Sequence, residues 1–174
     1  MNNLQQIKAV AFDIDGVLTA GTLIPLADGD LLRVVDAKDA FAIRVAKMRG
    51  LVTAIMSGGE TTALRKRCLS IGIEEENLFL GCRGKLNVFN NFCLQHGLKA
   101  EEVAYFGDDV PDTQVLRACG LGIVPSDASD EAKEAADYIC SHPGGHGAVR
   151  EGITMILKAQ GKWEFDPDKF SEIF

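Results

Sequence analysis

The run Lys8-Ala-Val-Ala-Phe-Asp13-Ile-Asp15-Gly16-Val-Leu-Thr19 ends a short apolar stretch in two carboxylates two residues apart. Such a stretch reads as a strand buried on both faces, and therefore as part of a parallel sheet. Side chains alternate along a strand, so Asp13 and Asp15 would share a face if it continued through both. Gly16 instead marks a turn and leaves both acids at the carboxyl end of the strand. Open α/β sheets bind their ligands there. Carboxylates held together and partly desolvated resist ionising together unless a cation compensates. Mg2+ suits that place, taking one or two carboxylates, several waters and phosphate oxygens. A strand end carrying two solvated acids is the plainer reading, but charge beside a buried strand needs a reason.

Three further segments share this logic. Leu51-Val-Thr-Ala-Ile-Met56 is a second apolar run, followed by Ser57-Gly58-Gly59, and Gly84-Lys85 opens an amphipathic segment. Val103-Ala-Tyr-Phe-Gly107 is a third run, followed by Asp108-Asp109-Val-Pro111-Asp112. The order strand-DxD, strand-Ser, Lys, strand-GDDxxD resembles the four motifs of the haloacid dehalogenase-like phosphohydrolase superfamily, over about residues 8–156.

Between these segments, apolar residues recur at helical spacing over 39–49, 61–70, 85–96, 112–119 and 148–160, each followed by a glycine: Gly50, Gly72, Gly97, Gly120 and Gly161. A glycine in that place closes a helix in the left-handed conformation. Strands alternating with helices predict an α/β fold, a parallel sheet flanked by helices on both faces. The resemblance implies the Rossmann-like version of that fold. At 174 residues the chain is read as one domain, 1–174, with a C-terminal tail from about 161.

One segment, about 19–35, breaks the alternation. Two β-prone runs flank Asp28-Gly29-Asp30, which predicts a β-hairpin. Leu23, Ile24, Leu26, Leu31, Leu32, Val34 and Val35 are too many apolar residues for a hairpin in water, so it packs either on its own domain or on another subunit. Most of the superfamily carries a cap domain, and this chain has room only for the hairpin. By resemblance it is a capless member whose hairpins assemble a homotetramer, a neighbouring subunit closing each active site.

The segment Gly144-Gly-His-Gly-Ala-Val-Arg150-Glu151 resembles the GGxGxxRE signature of sugar-acid phosphatases in that branch, and Val35 to Ile43 resembles their D-G/A-x-x-I/L helix start. This family comprises 3-deoxy-D-manno-octulosonate 8-phosphate phosphatases and related phosphatases of nine-carbon keto-deoxy sugar acids. The resemblance implies a cytoplasmic enzyme of lipopolysaccharide biosynthesis. Backbone N–H groups and an arginine at a helix start would suit an anionic substrate, and a plain turn before a helix is the alternative.

The resemblance also implies roles. Asp13 is the nucleophile that forms an aspartyl-phosphate, and Asp15 the general acid and base. Mg2+ is held by the side chains of Asp13 and Asp108 and by the backbone carbonyl of Asp15. Asp109 and Asp112 orient waters on the metal, although Asp112 equally suits a helix N-cap. Ser57 and Lys85 contact the transferring phosphoryl oxygens. Asp39, Gly58, Gly59, Arg67, Gly144, Gly145 and Arg150 surround the substrate, with Arg67 reaching its carboxylate across the subunit interface. Arg67 belongs to the basic run Arg65-Lys66-Arg67, for which a solvated face is the plainer reading. Gly59 departs from relatives that carry a long polar side chain there, which leaves the eight- or nine-carbon choice open.

A signalling receiver domain combines similar residues, but it places its paired acids early and its phospho-acceptor on a middle strand, the reverse of the order here. A net charge of −7 argues against a nucleic-acid or anionic-membrane surface. Cys68, Cys82, Cys93, Cys119 and Cys140 lack C-x-x-C spacing and read as small buried hydrophobes in a reducing compartment. No apolar stretch approaches the length of a membrane span.

Overall fold

The computed structural model describes residues 4–27 and 29–166. Asp28, in the turn of the expected hairpin, and residues 167–174 of the expected tail lie outside the described residues.

Six parallel strands form the central sheet: β1 Ala9–Phe12, β4 Val52–Met56, β5 Leu78–Phe79, β6 Val103–Phe106, β7 Leu121–Val124 and β8 Tyr138–Ile139. Their spatial order is β5-β4-β1-β6-β7-β8. The chain therefore builds outwards from β1 on one side, returns to β6 on the other, and builds outwards again. Alternation divides the strands other than β8 between two cores. Val10 and Phe12 of β1 and Ala104 and Phe106 of β6 enter one core with α1 (Ala37–Met48), α2 (Thr62–Ser70) and α6 (Ala148–Ala159). Ala9, Ala11, Val103 and Tyr105 enter the other, against α3 (Lys85–His96), α4 (Thr113–Ala118) and α5 (Asp130–Ala135). The two faces explain why β1 is apolar at every position and β4 and β6 nearly so.

The six-residue α5 was not anticipated, whereas α1, α2, α3, α4 and α6 fall within two residues of the periodic segments. Gly50, Gly72, Gly97 and Gly161 follow them with positive φ, as expected of left-handed closure. Gly120 does not share that conformation. A Cβ there would lie 2.0 Å from the Glu101 carbonyl oxygen, so close backbone approach, not helix closure, requires a glycine.

The hairpin is present but short. β2 (Ile24–Pro25) pairs antiparallel with β3 (Leu31–Leu32) as a separate two-stranded sheet. Along its return, Leu31, Arg33 and Val35 are partly buried while Leu32 and Val34 face outwards with Ile24 and Leu26. Val35 joins the first core, as do Trp163 and Phe165 of the tail. The described helices include none long and apolar enough to cross a membrane.

Candidate active site

β1 and β6 are neighbours at the point where strand order reverses, so their carboxyl ends open the crevice in which such sheets hold ligands. Asp13 follows β1 directly, its N–H donating to the Phe106 carbonyl at 2.9 Å, and Asp108 stands one residue beyond the end of Phe106-Gly107. A 3-10 turn, Val110–Asp112, then carries Asp112 back beneath the site. Asp13, Asp108 and Asp112 each present an oxygen within 4.8 Å of the others.

Two glycines make this convergence possible. A Cβ on Gly16 would lie 1.9 Å from Asp108 Oδ2, and one on Gly107 would lie 2.5 Å from Asp112 Cβ. Gly16 also has φ +99°, which side-chain-bearing residues rarely adopt. The motif glycines thus clear the path of the carboxylates.

Lys85, the first residue of α3, enters from the second core. Its ammonium lies 3.1 Å from Asp13 Oδ1 and 2.7 Å from Asp112 Oδ1. The Tyr105 hydroxyl donates to the same Asp112 oxygen at 2.5 Å, and the Asp108 N–H donates to Asp112 Oδ2 at 3.2 Å. Tyr105, Asp112, Lys85 and Asp13 therefore form one buried chain of polar contacts.

Electrostatics shows what that chain lacks. Burial pushes the Asp13 carboxyl up to about 6, Lys85 opposing the rise and Asp112 adding to it. Burial, then Asp13 and Asp112, push Asp108 up to about 7. Burial alone would lower the Lys85 ammonium, but Asp13 and Asp112 outweigh it and raise its value. Burial and then Asp112 hold the Tyr105 phenol well above its usual value, so it remains a donor. One ammonium faces three carboxylates. A hard divalent cation fits that deficit and that oxygen donor set.

Ser57 stands at the end of β4, next to β1 in the sheet, and is buried. Its backbone is held by Phe79 and Cys82, and its Oγ accepts from the Gly59 N–H at 3.2 Å, which leaves its O–H to donate towards the crevice. Asp15 lies further out. Both its oxygens are gripped by Arg33 of the hairpin, Nε to Oδ1 at 2.7 Å and Nη2 to Oδ2 at 3.0 Å. Its carboxylate is not one of the three that converge.

Several expected residues are engaged elsewhere. Asp112 accepts no capping bond from α4, because its carboxylate turns into the site. Asp109, expected to orient waters on the metal, is exposed and caps the 3-10 turn through Val110 N–H at 2.8 Å. Asp39 is fully buried, and its oxygens accept from Gly147 N–H at 3.1 Å and Arg150 N–H at 2.7 Å. It therefore anchors the start of α6 and does not face the crevice. The Arg150 guanidinium lies over the rings of Phe41 and Trp163, 5.5 and 5.4 Å from their centroids. Gly144 and Gly145 pack against the loop after Asp15: the Gly145 N–H donates to the Val17 carbonyl, and a Cβ on Gly144 would lie 1.8 Å from the Gly16 oxygen. Gly58 and Gly59 follow Ser57 at the crevice, and Arg67 is exposed on α2.

Sequence reasoning missed Arg33 and Tyr105. Each left a signal: Arg33 follows β3 within the alternating run 31–35 and is partly buried there, and Tyr105 places a hydroxyl in a strand that is otherwise wholly apolar.

A model of the family described as haloacid dehalogenase-like hydrolase matches residues 81–151. The 3-deoxy-D-manno-octulosonate 8-phosphate phosphatase of Haemophilus influenzae is 38% identical over 159 residues, 91% of this chain and 87% of the relative. That of Escherichia coli K12 is 34% identical over 158 residues, 91% and 83% of the two chains. Among solved structures, the cobalt-bound form of the Haemophilus influenzae phosphatase superposes with a TM-score of 0.88 at 38% identity, covering 92% of each chain. The Moraxella catarrhalis phosphatase, in complex with magnesium, phosphate and the sugar acid, superposes with a TM-score of 0.88 at 30% identity, covering 98% of this chain and 94% of that one.

Proposed function

The chain belongs to the haloacid dehalogenase-like hydrolases, and from that membership we propose that it is a Mg2+-dependent phosphatase that hydrolyses 3-deoxy-D-manno-octulosonate 8-phosphate to the free sugar acid and phosphate. The observation that carries this reading is the contact set Asp13–Lys85–Asp112 with Asp108 beside it, at the switch point of a sheet shared with the Moraxella catarrhalis enzyme.

Asp13 is the nucleophile. One of its oxygens bonds to phosphorus while the bond from phosphorus to the sugar oxygen breaks, and that oxygen takes the proton of the Asp15 carboxyl. Water then attacks the aspartyl-phosphate, gives its proton to Asp15, and returns Asp13 as a carboxylate. Lys85 and the Ser57 hydroxyl face the phosphoryl oxygens, where charge is spread in the transition state. Asp13 and Asp108, with the Asp15 carbonyl, would hold Mg2+, whose charge lets the carboxylates ionise together and offsets that of the phosphoryl group. Asp112 acts beside them by fixing the Lys85 ammonium.

The hairpin's outward residues Ile24, Leu26, Leu32 and Val34 form an exposed apolar strip, which supports assembly with further copies of this chain as a homotetramer. Arg67, exposed on α2, then reaches the carboxylate of a substrate bound by a neighbour. Five cysteines without a disulfide suit a reducing compartment, and we place the enzyme in the cytoplasm.

The test is phosphate release with Mg2+ from the eight-carbon substrate and from nine-carbon sugar-acid 9-phosphates. Asp13→Asn keeps the shape and removes the attacking charge, so it should abolish turnover with an unchanged far-UV CD spectrum. Wild-type turnover by that variant, or no release from any sugar-acid phosphate, would refute the reading.

A further inference from the structure

We propose that Arg33, on the hairpin, is a positioning residue for proton transfer: it fixes the Asp15 carboxylate so that its proton reaches the departing sugar oxygen. The inference rests on the assignment of Asp15 as general acid and base.

The geometry is a planar fork. Nε and Nη2 of Arg33 bind the two oxygens of Asp15 at 2.7 and 3.0 Å, so rotation of the carboxylate about its last bond would break both contacts. The fork takes one lone pair on each oxygen and leaves the other pair for a proton. Arg33 also stands beside the motif that receives the phosphoryl group. A Cβ on Gly59 would lie 3.2 Å from Arg33 Nη2 and 3.5 Å from Ser57 Oγ. The guanidinium thus occupies room left by the missing side chain at 59, between the general acid and the phosphoryl-binding hydroxyl.

Stability is a poor reason for this arrangement. The Arg33 side chain is only 8% exposed, and its third nitrogen, Nη1, is buried without a hydrogen-bond partner. A buried ion pair is often no more stabilising than apolar residues of the same size, and an unpaired donor weakens it further. Holding Asp15 in one orientation is what an apolar residue could not do. Lysine could supply the charge but not the fork.

The test is a series of phosphate monoesters, from p-nitrophenyl phosphate, whose leaving group departs as a stable anion, to alkyl phosphates, whose alkoxide needs the proton. Arg33→Met, Arg33→Lys, Asp15→Asn and the double variant Asp15→Asn/Arg33→Met are compared by kcat/KM, with far-UV CD for each. Arg33→Met should lose roughly 10- to 100-fold on alkyl esters, part of the general-acid contribution, and at least tenfold less than that on p-nitrophenyl phosphate. Arg33→Lys should fall between it and the wild type. The double variant should be no slower than Asp15→Asn, because a residue acting through Asp15 has nothing left to act on. If Arg33→Met does not fold, the slope of the Arg33→Lys losses with leaving-group basicity decides the matter. Equal losses across the series in the Arg33 variants, with Asp15→Asn still selective, would reduce Arg33 to a structural contact. A flat series for Asp15→Asn alone would remove Asp15 as the acid, and the inference with it.

Discussion

Replacing Lys85 with methionine removes the one ammonium that faces Asp13 and Asp112 while keeping most of its volume. With contacts at 3.1 and 2.7 Å, and an effective dielectric constant of about 20, the gross attractions are about 5 and 6 kcal/mol. Desolvation of the buried ions offsets much of this, and breaking one partner out of a buried pair costs about 3–5 kcal/mol. For a chain of this size each kcal/mol shifts the melting temperature by about 2–4 °C, so metal-free Lys85→Met should melt roughly 10 °C lower at pH 8. The loss should depend on pH. Asp13 at about 6 and Asp108 at about 7 both exceed the ordinary carboxyl value of 3.8. The folded chain therefore binds protons more tightly than the unfolded one between about pH 4 and 7. The stability these groups contribute is present at low pH and lost as pH rises through their folded values. Lys85 opposes that decline, so without it the decline steepens, and near pH 5 the variant should lie much closer to the wild type. Thermal unfolding followed by CD in EDTA, from pH 5 to 8.5, measures this, and saturating Mg2+ should narrow the gap at pH 8. An equal loss at pH 5 and pH 8, or none at pH 8, would refute the view that Lys85 offsets a carboxylate excess.

Val34 is 74% exposed in the single chain, so Val34→Asp should be harmless to a monomer but should shift the proposed tetramer to smaller species in light scattering; an unchanged mass would remove the hairpin from the interface. Arg67→Ala should lower kcat/KM on the sugar-acid phosphate by about 10- to 150-fold, the scale of a charge-assisted hydrogen bond, and far less on an ester without a carboxylate. Equal effects on both would leave Arg67 a solvated charge. Asp39→Ala leaves the N–H groups of Gly147 and Arg150 without their acceptor, and should cost about 1–2 kcal/mol of stability, as loss of a helix cap does, with kcat/KM within threefold. A large catalytic loss at full stability would return Asp39 to the substrate site.

Much of this enzyme was legible because its decisive features are local. An apolar strand followed by acids and a glycine has one comfortable arrangement, with the carboxylates beyond the strand end, so Asp13 and Asp108 stand out from their own segments, whereas Ser57 and above all Lys85 were singled out by their place in the order of the motifs. Helix periodicity placed five helices to within two residues, four of them followed by a glycine with positive φ, but not the short α5. The short strands β5 and β8, two residues each, carry too little pattern to be read and exist because neighbouring strands offer them hydrogen bonds. Polar partnerships across the fold were likewise hidden. Asp39 caps a helix that starts more than a hundred residues later, Arg150 turns away to lie over Phe41 and Trp163, and Arg33 reaches Asp15 from a hairpin outside the main sheet. A side chain's residue type announces that it needs a partner. Which partner it meets depends on how distant segments pack, and only the tertiary structure decides that.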